Sequence, residues 1–126
     1  MTNFVQPVIG GVDTHKRTHQ AAAISINGQL LGDREFPATV TGHAALGKWL
    51  ASFGPVEAVG VEGTGSYGAA LTAVLQSAGQ RVIEVNRPSH AARRLTGKSD
   101  VIDAEQAARS VRAAITTAAP KSKAAA

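Results

Sequence analysis

Four carboxylates in this sequence have the residue types and the spacing for phosphodiester chemistry. Asp13 and Glu62 each follow a short apolar run, and Asp100 and Asp103 lie three residues apart towards the end of the chain. Carboxylates that are brought close together raise one another's pKa unless cations neutralise them. Two divalent ions about 3.5–4 Å apart, bridged by such groups, would activate the attacking oxygen and stabilise the leaving oxygen of a phosphodiester. The acids therefore predict a site for Mg²⁺ or Mn²⁺ that acts on nucleic acid.

Each acid taken alone also has an ordinary structural explanation. An aspartate after a strand is usually a turn or cap residue, and Asp100 at a helix start would favour the helix dipole. The prediction depends on the joint occurrence of the four. The chain has no cysteine, so a thiolate site is excluded and hard cations are favoured over structural zinc. His15 and His19 are four apart, but they fall in a predicted turn between strands, which argues against a zinc pair.

The elements that must position these acids follow from the periodicity of the apolar residues. The pattern predicts the order βββαβαβα, with a tight turn at Asn27 and Gly28. The predicted elements are strands Val8–Asp13, Gln20–Ile26, Leu30–Phe36, Val56–Glu62 and Arg81–Val85, and helices capped by Thr41, following Gly68 and capped by Ser99.

A sheet with the strand order 3-2-1-4-5 would bring the four acids together. Strands 1 and 4 would then be parallel neighbours, with Asp13 and Glu62 at the same edge, where α/β sheets place their ligands. Asp100 and Asp103 share one face of the last helix, which can pack across that edge. We therefore expect an α/β domain with a mixed five-stranded sheet flanked by helices, and one acidic site.

A glycine-rich loop, Gly63–Gly68, opens the second helix and could cradle a phosphate with its backbone N–H groups. The motif is weak, because it has neither the lysine of a P-loop nor a dinucleotide fingerprint. Tyr67 in this loop could stack on a base, although packing against the protein is the favoured interpretation.

The charge distribution also favours a polyanionic partner. Thirteen Lys and Arg against nine Asp and Glu give a formal charge of +4. A solvated charged face is the ordinary explanation of a basic stretch such as residues 87–112. The basic residues of this stretch that lie just before the helix of Asp100 and Asp103 instead favour contacts with phosphates. The predicted phosphate-binding residues are Arg87, Arg93, Arg94 and Lys98.

The length and composition predict one domain, residues 1–115, followed by an Ala- and Lys-rich tail, 116–126, with too little apolar bulk to be ordered. No apolar run approaches the ~20 residues of a membrane span, and the first residues have no signal pattern. We therefore expect a cytoplasmic protein with no membrane partner.

Three segments carry a family resemblance. The chain resembles the DEDD transposases, the insertion-sequence transposases with a RuvC-like N-terminal domain, a family that includes the bridge-RNA-guided recombinases. The resemblance extends from Val8 to about Val111 and includes the pair Arg93–Arg94. The segments are Gly11–Lys16 (GVDTHK), Val61–Tyr67 (VEGTGSY) and Gly97–Ala104 (GKSDVIDA).

The resemblance implies an RNase H-like, RuvC-like fold with Asp13, Glu62, Asp100 and Asp103 as the metal-binding catalytic tetrad. It also implies metal-dependent DNA cleavage and strand transfer in transposition, a structured guide RNA as a second partner, and a homo-oligomer in a bacterial, nucleoid-associated parent protein. Family members continue through a coiled coil to a domain with a serine nucleophile, for which 126 residues leave no room. The chain is therefore expected to be a fragment, inactive or incomplete by itself.

Three other functions stay open at this point. One is a complete RuvC-like junction nuclease. Another is half of a sugar kinase or actin-like ATPase, since Gly11–His15 also resembles the phosphate loop of those proteins, although no second Asp-x-Gly loop is present. The third is a non-catalytic remnant that binds nucleic acid. The fold alone does not separate them.

Overall fold

The structure is a computed structural model that describes residues 6–85 and 100–125, with side chains described for 6–85 and 103–116. The described elements follow the predicted order βββαβαβα. The strands are β1 (Val8–Thr14), β2 (Thr18–Ser25), β3 (Leu30–Pro37), β4 (Val56–Val61) and β5 (Val82–Glu84), and the helices are α1 (Val40–Ala51), α2 (Ala69–Ser77) and α3 (Asp100–Ala125).

The five strands form one mixed sheet in the order β3-β2-β1-β4-β5, which confirms the predicted topology. β1, β2 and β3 are antiparallel neighbours, and β1 and β4 pair in parallel, as do β4 and β5. The long crossover from β1 to β4 is the feature that puts the carboxyl ends of these two strands side by side.

Helices cover both faces of the sheet, and strand alternation divides the core between them. On one face, Val8, Val12, Val59 and Val61 pack with the buried leucines of α1 and α2. On the other face, a second cluster consists of Ile9, Ile24, Ala58, Ala108 and Val111. Ala108 and Val111 belong to α3, so α3 alone covers this face in the described part of the chain.

Two arginines of α3 hold the tight turn between β2 and β3. Arg112 Nε donates to the Ile26 carbonyl at 2.8 Å, and Arg109 Nη1 donates to the Gly28 carbonyl at 2.9 Å. Gly28 has φ 95°, a conformation that glycine adopts without strain. These contacts place the middle of α3 at the turn end of β2, so its first residues lie towards the opposite end, where β1 and β4 finish.

The predicted start of α1 is wrong. The cap of α1 is Thr39 and not Thr41: Thr39 has extended backbone angles, and its hydroxyl accepts from Gly42 N at 3.0 Å. The last helix extends to Ala125, beyond residue 115. The division into a domain and a tail at residue 115 stays a prediction. None of the described helices is long and apolar enough to cross a bilayer.

Candidate functional site

Asp13 and Glu62 lie side by side at the carboxyl ends of β1 and β4. The last parallel register pair is Val12 with Val61, and the N–H of Glu62 donates to the Val12 carbonyl at 3.2 Å. Both acids are buried, with exposed fractions of 0% for Asp13 and 3% for Glu62. The Thr14 hydroxyl donates to the Glu62 carbonyl at 2.6 Å and fixes the backbone at this edge.

The packing of two glycines shows that both acids are on the face covered by α3. A Cβ at Gly11 would lie 2.1 Å from the Ala104 carbonyl oxygen, and a Cβ at Gly60 would lie 2.9 Å from that of Ala107. Side chains alternate along a strand, so Asp13 shares the face of Gly11 and Glu62 shares the face of Gly60. The absence of side chains at the two glycines lets the α3 backbone approach the sheet directly below the acids.

Asp103 enters the same region from the helix. It precedes Ala104, whose carbonyl oxygen lies over Gly11, and it is itself 3% exposed. The register of α3 on the sheet thus puts a third buried acid beside the ends of β1 and β4. Asp100 is the first residue of α3, one helical turn earlier, and its side chain lies outside the described residues.

A complete ligand set is not present among the side chains that the structure describes. Within 6–85 and 103–116, no group of three or more histidine or acidic side chains is arranged to hold a metal ion. The assignment of the tetrad therefore remains a prediction. The predicted phosphate-binding residues lie outside the described part of the chain; they are Arg87, Arg93, Arg94 and Lys98.

The glycine-rich loop after β4 already binds a carboxylate of the protein. Glu84 accepts hydrogen bonds from Gly63 N at 3.3 Å, from Thr64 N at 3.1 Å and from the Thr64 hydroxyl. These bonds, chiefly the one from the hydroxyl, lower the pKa of Glu84. Two of the backbone donors that could have cradled a phosphate, Gly63 N and Thr64 N, are thus bonded to Glu84. Tyr67 is 56% exposed, so about half of its side chain is open to solvent and could contact a ligand.

Three histidines next to Asp13 form a network that the sequence analysis did not predict. Nε2 of His15 lies 3.0 Å from Oδ2 of Asp13. His19 is fully buried in β2 and contacts His43 of α1, with 3.3 Å between their Nε2 atoms. Burial, with smaller contributions from His43 and His15, lowers the pKa of His19 to about 4. Burial also lowers the pKa of His43. The prediction that His19 belongs to the turn between the strands is wrong, because His19 is the second residue of β2, and no feature of the sequence indicated this network.

Comparison with solved structures supports the same fold. RuvC of Thermus thermophilus superposes with a TM-score of 0.57 at 18% identity, over 80% of this chain and 90% of that one. The fowlpox virus resolvase, solved with its substrate Holliday junction DNA, gives a TM-score of 0.53 at 12% identity, over 88% of this chain and 97% of that one. At such low identity the likeness establishes the RuvC-like, RNase H-like fold only.

No curated protein sequence matches the chain significantly. A family profile does: the profile of the IS110 DEDD transposases, described as a transposase family, matches residues 10–126. The match includes β1 with Asp13, β4 with the Glu62 that follows it, and α3 with its two aspartates. The chain is therefore a RuvC-like domain that belongs to the IS110 family of DEDD transposases.

Proposed function

We propose that this domain carries the metal-dependent DNA cleavage and strand-transfer chemistry of a transposase, with Asp13, Glu62, Asp100 and Asp103 as the metal-binding catalytic residues. One observation carries the proposal. Asp13, Glu62 and Asp103 are all buried where α3 crosses the carboxyl ends of β1 and β4. Asp100 begins the same helix one turn before Asp103.

The chemistry of these side chains fits hard divalent cations. Burial of several carboxylates in one region is costly, because each ionised group loses hydration and repels the others. Oxygen ligands of this kind suit Mg²⁺ or Mn²⁺, and the chain has no thiolate that would favour a softer metal. When bound, two such ions would supply charge neutralisation at a phosphodiester. The residues of the chain would hold the ions at the sheet edge and exclude bulk water from it.

The surroundings of the acids suggest how nucleic acid would be held. Tyr67 is exposed on the loop that follows Glu62, where an aromatic ring can stack on an unpaired base. Arg87, Arg93, Arg94 and Lys98 precede α3 in the sequence and would bind backbone phosphates with little dependence on base sequence. We infer DNA as the substrate. We further propose a structured guide RNA and a homo-oligomer for the parent protein, in the bacterial nucleoid.

Thermal denaturation with and without metal tests the proposal. A ligand that binds only the folded state adds RT ln(1 + [L]/Kd) to the stability, about 2.7 kcal/mol at a hundredfold excess over Kd. Millimolar Mg²⁺ or Mn²⁺ should therefore raise the melting temperature of the wild-type chain. Asp13→Asn should abolish most of the increase and leave the metal-free protein equally or more stable, because one repelling charge is removed.

Asp33→Asn is the matched control, since Asp33 is an exposed acid on the edge strand β3. This variant should keep the full metal-dependent increase. An equal response of the Asp13 and Asp33 variants would contradict the proposed metal site.

Cleavage assays distinguish the transposase domain from a complete junction nuclease. As a transposase domain, the 126-residue chain should cut branched DNA weakly or not at all. Efficient Mg²⁺-dependent cutting of a four-way junction by the 126-residue chain would favour the nuclease instead.

A further inference from the structure

The three histidines form a continuous hydrogen-bonded path from Asp13 to helix α1. Nε2 of His15 is 3.0 Å from Oδ2 of Asp13, and the backbone N–H of His15 donates to Nδ1 of His19 at 3.3 Å. Nε2 of His19 lies 3.3 Å from Nε2 of His43, and the two rings stack with 5.2 Å between their centroids. The path joins an acid of the candidate site to a helix on the other side of the sheet.

The path crosses the sheet at its edge. Asp13 pairs with Gln20, and His19 pairs with Thr14, so alternation puts Asp13 and His19 on opposite faces of the sheet. His15 belongs to the short turn between β1 and β2 and follows directly after the end of β1. The position of that turn thus determines where the His15 imidazole meets the carboxylate.

The hydrogen bonds specify the tautomers of the buried pair. Nδ1 of His19 accepts from a backbone N–H and carries no proton. Because burial keeps His19 neutral, its proton is on Nε2, and that N–H donates to His43. His43 then accepts at Nε2 and carries its own proton on Nδ1. Both rings are buried, at 0% and 5% exposure, so each polar atom depends on such a partner.

We propose that His15 is a positioning residue that orients the Asp13 carboxylate for metal binding, and that His19 and His43 hold the turn carrying His15. The Nε2–H of His15 donates to one carboxylate oxygen and so restricts rotation of the group about its Cβ–Cγ bond. Hydrogen bonds of this kind orient metal ligands, and their removal typically weakens metal affinity 10–100-fold. The inference rests on the proposed function, because it takes Asp13 as a metal ligand.

Calorimetric titration of Mn²⁺ into the 126-residue chain and its variants tests the proposal. His15→Ala should weaken Mn²⁺ binding by about tenfold or more. His15→Gln, whose amide N–H can reach the same carboxylate oxygen, should recover most of the affinity. The melting temperature without metal should change little in either variant, since the His15 side chain is 37% exposed. A merely structural role would lower that temperature and leave Mn²⁺ affinity unchanged.

Lys16→Ala is the control for truncation in the turn, since Lys16 is exposed and removal of a positive charge does not weaken cation binding. Equal Mn²⁺ affinity of the wild type and both His15 variants would overturn the positioning role while leaving the metal site intact. Failure of the wild type to bind Mn²⁺ would overturn both proposals. Nitrogen-15 NMR of the imidazoles tests the path itself: His19 should be the Nε2–H tautomer, and an Nδ1–H tautomer would overturn the role assigned to it.

Discussion

Substitution of Gly11 by alanine should separate α3 from the sheet and so disturb both stability and metal binding. The added Cβ would lie 2.1 Å from the Ala104 carbonyl oxygen, 2.4 Å from Ala108 N and 2.9 Å from the Ala108 side chain. Two of these neighbours are backbone atoms of a helix, which cannot turn aside as a flexible side chain can. The backbone of Gly11 is not in the left-handed region, so the effect would come from the collision alone.

The expected magnitude follows from the size of the collision. An ordinary contact needs about 3.5 Å or more, so α3 must move away from β1 by more than about 1 Å. Overpacking of a core typically costs ~1–3 kcal/mol, and about 1 kcal/mol shifts the melting temperature of a domain of this size by roughly 3–5 °C. We expect Gly11→Ala to lower the melting temperature by roughly 3–15 °C. The metal-dependent increase should also shrink, because Asp103 moves together with Ala104.

Gly65→Ala is the matched control, since nothing lies within 4 Å of a Cβ at Gly65 and its φ is not positive. Differential scanning fluorimetry with and without Mn²⁺ measures both effects. This variant should melt at the wild-type temperature or slightly above, because alanine reduces the entropy of the unfolded chain. Equal melting temperatures for the two variants would refute the close approach of α3 to β1 and the placement of Asp103 that depends on it.

Three further predictions concern pH and nucleic acid. Burial lowers the pKa of His19 from 6.5 to about 4; the unfolded chain therefore takes up a proton that the folded chain does not. In urea denaturation, the free energy of unfolding should be highest above pH 6.5 and should fall towards pH 4 by at most about 3 kcal/mol. A flat profile would contradict the burial of a neutral His19. In a fluorescence-anisotropy titration, Tyr67→Ala should weaken binding of single-stranded DNA by ~1–3 kcal/mol, whereas Tyr67→Phe should not. An equal weakening by both variants would exclude stacking. Joint replacement of Arg93 and Arg94 by alanine should make the plot of log binding constant against log salt concentration less steep, by roughly one unit of slope for each phosphate that is no longer bound. The loss should be equal for unrelated sequences. An unchanged slope would mean that these arginines bind no phosphate.

The strands and the hairpin of β2 and β3 were predictable because their signals are local. Apolar runs end in Asp13 and Glu62, and the tight turn at Asn27 and Gly28 pairs β2 with β3. The parallel pairing of β1 with β4 joins distant segments and was predicted from the expected α/β topology. The error at the start of α1 has a local cause as well. Thr39 and Thr41 are both good capping residues, and only the backbone angles of Thr39 show which of the two caps the helix.

The histidine network could not have been predicted from spacing. His19 and His43 belong to different elements and meet only after α1 packs on the sheet, so no sequence period relates them. The contact of Glu84, the last residue of β5, with the loop after β4 has the same origin, since it depends on the pairing of β4 with β5. Neither periodicity nor a motif indicates such contacts between distant elements, so this part of the site could be found only in the structure.

A crystal structure of the chain with Mn²⁺ shows directly whether the four acids bind metal. The anomalous signal of manganese should lie within coordination distance, about 2–2.5 Å, of carboxylate oxygens from Asp13, Glu62, Asp100 and Asp103. Manganese bound elsewhere, or Asp100 and Asp103 pointing away from the ends of β1 and β4, would contradict the proposed site.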